Sequence, residues 1–176
     1  MWKTFKYSLL VLMIILFQVS VLPLMGDWIQ SVNIVLLVLI LVYLTKGLPL
    51  TLMLALILGP ILDLYHMIFF PGVTICLILA LLIVDAFFSK FFTNKSFYSF
   101  LSMILLAVFC YGTLLRLLFG LQTIITAGQN YPINQYFTAF GQFAVEVLAV
   151  NFICGTILFM LFYFFSDNFK SVILRD

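Results

Sequence analysis

Charged residues are scarce in this chain. Only 8% of its residues are Asp, Glu, Lys or Arg, whereas 66% are hydrophobic, and the mean hydropathy is +1.31. A soluble domain is about one quarter charged, so this composition cannot cover a water-facing surface. The 176 residues leave room for about six membrane spans of about 20 residues with short joints. We therefore expect one all-α domain, residues 1–176, that is embedded in a lipid bilayer as a bundle of six helices.

Residues that bind metals or perform redox chemistry are also few. The chain has one histidine, His66, and three isolated cysteines, Cys76, Cys110 and Cys154. This excludes a CxxC site and a bis-histidine haem, and it gives no disulfide framework. No HExxH, GxSxG or P-loop pattern occurs, and no cluster has more than two basic residues. We predict a protein that is not an enzyme, has no cofactor or metal, and does not bind nucleic acid.

Six apolar segments are predicted to be membrane spans, separated by breaks that contain Pro, Gly or polar residues. These predicted spans are residues 4–22, 32–46, 49–67, 72–92, 97–119 and 137–165. The first exceeds the apolar core of a typical signal peptide and lacks an A-x-A-like cleavage pattern, so we interpret it as an uncleaved helix. The second is short. It could form a full or a shallower hairpin with the third, and we prefer the full crossing.

The positions of the basic residues predict the orientation. If the N-terminus is cytoplasmic, every basic residue except Arg116 lies on the cytoplasmic side: Lys3, Lys6, Lys46, Lys90, Lys95, Lys170 and Arg175. The joints at 23–31, 67–71 and 120–136 contain no Lys or Arg. Cytoplasmic loops of membrane proteins carry an excess of basic residues. The sequence therefore predicts that both termini are cytoplasmic.

Four ionisable residues remain inside the predicted spans. A charge at the bilayer centre costs about 2.5 to 3.5 kcal/mol, so these side chains should face protein or water. At 1.5 Å per residue, Asp63, Arg116 and Glu146 fall in the outer half of the membrane and Asp85 in the inner half. Gln142 shares one face of the sixth span with Glu146. We expect Arg116 to bridge toward the acids, with Asp63 the nearer in depth. The cluster could instead line a path for a substrate or protons, but we favour structural or partner-docking roles.

Two consecutive stretches, "NIVLLVLILVYLTKG" and "GPILDLYHMIFFPG", carry an ordered set of motif residues. Their pattern resembles the MreD family of rod shape-determining membrane proteins. In that family an Asn or Asp opens the second span, and the third carries Gly-x-x-x-Asp, followed about eight residues later by a helix-starting Gly. The matching residues here are Asn33, Gly59, Asp63 and Gly72. Val32 stands where the family often has Pro, and Pro60 after Gly59 is unusual.

The resemblance implies a scaffold of the cell-elongation complex, which maintains rod shape and directs peptidoglycan synthesis at the bacterial cytoplasmic (inner) membrane. The implied partners are an MreC-like membrane protein and, indirectly, MreB filaments and the wall synthase and transpeptidase. Because Gly59 and Asp63 lie one turn apart, we expect the glycine to leave room for Asp63 to point into the bundle.

The family is also thought to share its fold with substrate-binding components of vitamin transporters. The alternative is therefore a subunit that holds a small molecule such as a vitamin near its outer face. A cavity containing Asp63, Arg116, Gln142 and Glu146 would suit that function.

Overall fold

The computed structural model describes residues 13–66, 70–91, 97–127 and 133–165, and the regular secondary structure within these ranges is helical. Residues 13–16 are α-helical, and a π-helical turn, Phe17–Val21, and a 3-10 turn, Leu22–Met25, follow them. The α-helices that follow are α1 (Asp27–Gln30), α2 (Ile34–Lys46), α3 (Leu48–His66), α4 (Gly72–Phe91), α5 (Phe97–Ala127) and α6 (Ile133–Phe165). The second to sixth predicted spans correspond to α2 to α6.

Five helical segments are long enough and apolar enough to cross a membrane, as expected of a multi-pass protein. They are Trp28–Lys46, Leu48–Tyr65, Gly72–Lys90, Tyr98–Thr123 and Val145–Phe164. The first predicted span, 4–22, lies partly outside the described residues. Its described part belongs to a shorter apolar helix, Met13–Met25. The sixth crossing therefore stays a prediction.

Helices α5 and α6 are longer than the sequence predicted. The fifth span was expected to end at residue 119, but α5 continues to Ala127, and α6 begins at Ile133 instead of residue 137. Gly120 does not end α5, because a glycine inside a helix costs only about 1 kcal/mol and the residues after it are mostly apolar. The break signals start only at "GQNYP", residues 128–132, which lie outside the described residues.

Helix α2 lies at the centre of the bundle. It packs against α3, α5 and α6, and several of its side chains are completely buried: Val35, Leu36, Leu37, Leu39 and Ile40. A helix that is apolar on all sides is typical of a protein interior or of a membrane span, and α2 occupies the interior of this bundle. Gly47 ends α2 with a φ of +83°, a conformation that favours glycine, and its N–H donates to the Tyr43 carbonyl. The short second span is thus the core of the fold.

The other helices surround α2 as antiparallel neighbours. Helix α3 packs against α4, α4 against α5, and α5 against α6. The contact between α5 and α6 includes Phe100 and Phe159, whose ring centroids are 5.0 Å apart. Gly155 of α6 is buried where a side chain would collide with Ile104. This glycine leaves room for the end of the Ile104 side chain between the two helices.

Candidate functional site

Asp63, near the C-terminal end of α3, caps the N-terminus of α4. Its Oδ1 accepts a hydrogen bond from the Val73 N–H at 2.6 Å, and its Oδ2 accepts from the Thr74 N–H at 3.1 Å and from the Thr74 hydroxyl. Gly72 is the first residue of α4 and is buried. Amides in the first turn of a helix have no partner within the helix, and a carboxylate interacts favourably with the helix dipole there. Asp63 is only 2% exposed. It is therefore a buried acid whose hydrogen-bond partners are donors of the neighbouring helix.

Gly59 lets α3 and α4 come into contact at Thr74, the residue that also donates to Asp63. A Cβ added to Gly59 would lie 2.6 Å from Thr74 Oγ1 and 2.9 Å from Thr74 Cα. Carbon atoms in ordinary contact are about 3.5 to 4.0 Å apart, so a larger residue would push the two helices away from each other. We call Gly59, Asp63, Val73 and Thr74 the α3–α4 clasp. In it the glycine provides the close approach and the aspartate provides the cap.

A second group of polar contacts surrounds the start of α2. Asn33 is the N-cap residue, and its Oδ1 accepts from the Leu36 N–H at 3.0 Å. The side chain of Gln18 hydrogen-bonds to the main chain on both sides of Asn33. Its Oε1 accepts from the Ile34 N–H at 2.7 Å, and its Nε2 donates to the Val32 carbonyl at 3.0 Å. Gln18 thereby joins the segment before α1 to the start of α2.

Asn151 of α6 makes the corresponding contacts from the opposite side. Its Oδ1 accepts from the Asn33 N–H at 2.9 Å, and its Nδ2 donates to the carbonyls of Ser31 at 2.9 Å and Val147 at 2.8 Å. The side chain is completely buried. A buried amide group is costly unless it is hydrogen-bonded, and here both ends of the amide are satisfied. We call Gln18, Asn33 and Asn151 the amide clamp.

A cavity of about 350 Å³ opens beside the amide clamp. Its polar lining includes Gln18, Gln30, Asn33, Tyr111, Arg116 and Asn151. Its apolar lining includes Leu62, Val108 and Leu115. Among the described residues that line the cavity, Arg116 is the only charged one. Pockets that hold small molecules in proteins have volumes of about 300 to 1,000 Å³, so the size fits a small ligand.

Asp85 lies at the other end of the bundle. The Tyr43 hydroxyl donates to Asp85 Oδ1 at 2.8 Å, which connects α2 to α4. The ring of Tyr43 also packs edge-on against Phe88, with centroids 5.8 Å apart. At 1.5 Å per residue, Asp85 lies about 18 Å along α4 from Val73, where Asp63 binds. The two acids therefore belong to separate sites.

The residues of the predicted polar cluster lie at separate positions in the structure. Asp63 is in the clasp and Arg116 lines the cavity, whereas Glu146 is exposed on α6. The side chain of Gln142 lies outside the described part of the chain. The partners that the structure shows for Asp63 are the donors of α4, and the expected bridge between Arg116 and the acids stays a prediction.

Sequence reasoning did not identify Gln18, Thr74 or Asn151 as members of a site. The signal was present for the two amides, since each stands inside an apolar stretch, "LFQVS" or "LAVNF". A polar side chain at such a position has to find a hydrogen-bond partner within the protein. The partners of these two amides are main-chain groups on other segments, and the sequence does not show which main-chain group a side chain will bind.

The described residues hold no group of three or more His, Cys, Asp or Glu side chains that could bind a metal ion. The three cysteines are free thiols; Cys76 is buried, and Cys110 and Cys154 are partly buried.

No protein-family model matches the chain, and neither a curated protein nor a solved structure matches it. The family resemblance therefore depends on the sequence motif residues Asn33, Gly59, Asp63 and Gly72 alone.

Proposed function

We propose that the chain is a non-enzymatic membrane scaffold similar to MreD, which holds an MreC-like partner in the cell-elongation complex of a bacterial cytoplasmic membrane. The α3–α4 clasp is the observation that supports this proposal. Both carboxylate oxygens of Asp63 accept hydrogen bonds from Val73 or Thr74, and the side chain is buried. An acid engaged in this way shapes a hairpin and is not offered to a substrate. The Gly-x-x-x-Asp motif thus has a structural role that suits a scaffold.

The clasp also fixes the face that α3 presents away from the bundle. This face is a stripe of exposed apolar side chains at helical spacing: Met53, Leu56, Ile57, Ile61 and Leu64, which are 41 to 75% exposed. Such a ridge can pack into the grooves of a partner's transmembrane helix. Because the clasp holds α3 against α4, the ridge would meet the partner as a rigid surface.

We further propose six crossings with both termini cytoplasmic. Lys46 and Lys90 lie in the last turns of α2 and α4. The hydrogen bond between Tyr43 and Asp85 joins these two helices near the same ends, which supports a common side for both lysines. The clasp then lies toward the outer face.

Cysteine labelling tests the orientation after the native thiols are removed. We expect an impermeant reagent added from outside to label a cysteine that replaces Trp28, which is 70% exposed. It should not label a cysteine that replaces Lys95. Outside labelling at position 95 would contradict the proposed orientation.

Partner retention tests the scaffold function. The cheapest first observation is the genomic neighbourhood, where mreB and mreC genes beside this one are expected. The MreC-like protein should then co-purify with the wild-type chain, and Gly59→Leu and Asp63→Leu should reduce that retention. Asp63→Asn should have a milder effect, because it keeps one acceptor oxygen and the shape of the side chain.

A matched control is Gly141→Leu, since Gly141 is exposed and a Cβ there would meet no described atom within 4 Å. Retention is compared between variants that remain monodisperse in detergent. If Gly59→Leu and Asp63→Leu retain the partner as well as Gly141→Leu does, the clasp has no part in partner binding.

The second candidate is a substrate-binding subunit of a small-molecule transporter. The cavity beside the amide clamp favours it, because its volume of about 350 Å³ is sufficient for a small ligand. The two candidates differ in their partners. Transporter ATPase genes near this one, and co-purification with that ATPase module in place of an MreC-like protein, would favour the transporter subunit.

A further inference from the structure

We propose that the cavity beside the amide clamp binds a compact, uncharged molecule that is mostly apolar and presents a hydrogen-bond acceptor to the Tyr111 hydroxyl. This inference goes beyond the scaffold function, because the cavity would bind the molecule with or without an MreC-like partner. For the second candidate, the transporter subunit, it specifies the class of substrate.

The Tyr111 hydroxyl is the polar group that the cavity offers to a ligand. Tyr111 lies on α5, lines the cavity, and is only 8% exposed. Its hydroxyl interacts with the side chain of Asn33, another lining residue. Asn33 Oδ1 accepts from the Leu36 N–H, so we assign the Asn33 Nδ2 group as the donor to the Tyr111 oxygen.

The proton of this hydroxyl is then available to a ligand. A phenol is both a donor and an acceptor, and the contact with Asn33 uses its acceptor. Asp63 is close to Tyr111, but its oxygens accept from Val73 and Thr74 in the clasp. Among the residues that the structure describes, none accepts a hydrogen bond from the Tyr111 hydroxyl. A buried donor is costly without a partner, so a carbonyl, ether or hydroxyl oxygen of a ligand is favoured there.

The charge of Arg116 does not decide which ligand binds. Arg116 lines the cavity, but it already interacts with another group. The amides of Gln18 and Asn151 are also engaged, since both bond to main-chain groups. A charged molecule loses its hydration in such a space, and this loss is costly unless an opposite charge pairs with it. An uncharged molecule therefore fits the cavity better.

The size and the remaining lining of the cavity favour a compact apolar molecule. Leu62, Val108, Leu115 and Val147 supply aliphatic surface. An apolar cavity of about 150 Å³ holds benzene, whereas this cavity measures about 350 Å³. It therefore suits a molecule of about a dozen heavy atoms and is too small for a whole lipid. Gln30 also lines the cavity but is exposed, so its amide meets the ligand at the opening.

Gly112 is an independent sign that the space is built into the sequence. It lies in the middle of α5, lines the cavity, and has no described atom within 4 Å of an added Cβ. A glycine in a helix interior lowers helix stability relative to alanine, and no close helix contact requires one at this position. Its effect is to keep open the cavity that Tyr111 lines.

Thermal unfolding of the full chain in micelles of an uncharged detergent tests the proposal with two probes. Coumarin is a compact, uncharged bicyclic molecule with a carbonyl acceptor, and naphthalene has nearly the same shape without an acceptor. Unfolding is followed by the reaction of the buried Cys76 thiol with a fluorogenic maleimide. We expect coumarin to raise the melting temperature of the wild type in a saturable manner.

Three variants identify where coumarin binds. Tyr111→Phe keeps the ring and removes the donor, so the half-saturating concentration of coumarin should rise about three- to tenfold. The half-saturating concentration of naphthalene should not change, because naphthalene has no acceptor to lose. Gly112→Leu fills the cavity and should remove the response to both probes. Gly141→Leu makes the same change at an exposed site on α6, and its response should equal that of the wild type.

Four results would overturn the proposal. The first is the absence of a saturable response to coumarin in the wild type. The second is an equal response in the wild type and Gly112→Leu, which would show that coumarin acts outside the cavity. The third is an equal half-saturating concentration of coumarin in the wild type and Tyr111→Phe. The fourth is saturation by 1-monohexanoylglycerol but not by coumarin, which would show that the cavity takes the end of a lipid.

The third result remains decisive if Gly112→Leu fails to fold, since Tyr111→Phe preserves the ring and its packing. Retention of the MreC-like partner is measured separately, so the scaffold proposal can fail or hold independently.

Discussion

Replacing Gly59 by alanine adds one methyl group at the point where α3 touches α4. The new carbon would lie 2.6 Å from Thr74 Oγ1 and 2.9 Å from both Cα and Cβ of Thr74. The hydroxyl could rotate away, but it would then leave Asp63, to which it donates. The Cα cannot move without α4. The two helices must therefore separate by about 0.5 to 1 Å to restore ordinary contact distances.

The expected cost follows from three terms. Overpacking a tight contact costs about 1 to 3 kcal/mol. Weakening a hydrogen bond to the Asp63 carboxylate adds about 1 kcal/mol. Alanine favours a helix more than glycine does, which offsets up to about 1 kcal/mol of this loss of stability. We therefore expect Gly59→Ala to lower the free energy of unfolding by about 2 kcal/mol.

Gly112→Ala is the matched control, since it makes the same change in the interior of α5 with no described atom within 4 Å. Only the helix-propensity term applies there, so it should raise the free energy of unfolding by about 0.5 to 1 kcal/mol. Both variants are compared with the wild type by equilibrium unfolding in mixed micelles with increasing dodecyl sulfate. If Gly59→Ala is as stable as Gly112→Ala, the close approach of α3 and α4 at Thr74 is refuted.

Two further substitutions test contacts away from the clasp by the same unfolding assay. Tyr43→Phe keeps the ring beside Phe88 but removes the donor to Asp85, so we expect a loss of about 1 to 3 kcal/mol; an unchanged stability would show that this hydrogen bond contributes nothing. Asn151→Leu removes the amide that binds Ser31, Asn33 and Val147, so we expect a loss of about 2 to 4 kcal/mol, and a variant as stable as the wild type would contradict the amide clamp.

The sequence predicts the helices best where local signals end them. The Gly47-Leu48-Pro49 turn and the helix start at Gly72 placed the ends of α2, α3 and α4 within one or two residues. The predicted fifth span ended at residue 119, eight residues before the end of α5, and the apolar pattern continues beyond Gly120. A glycine ends a helix only when its surroundings also favour the break.

The candidate site was only partly predictable for a different reason. The spacing of Gly59 and Asp63 places them on one face of α3, and both indeed lie against α4. The depths of the charged side chains along their helices predict Arg116 as the partner of Asp63. The partners that the structure shows are the N–H groups of Val73 and Thr74 and the Thr74 hydroxyl. Main-chain donors belong to every residue, so the sequence alone does not show which of them a buried acid will cap.

Amide hydrogen exchange at the start of α4 tests most directly whether Asp63 holds that helix. The exchange rates of the Val73 and Thr74 amides are measured in micelles for the wild type and Asp63→Leu. The Leu36 amide, which Asn33 caps, serves as the internal reference. We expect exchange at Val73 and Thr74 to become at least tenfold faster in Asp63→Leu, with Leu36 unchanged, because each loses a hydrogen bond to a charged acceptor. Equal rates at Val73 and Thr74 in the two proteins would contradict the α3–α4 clasp.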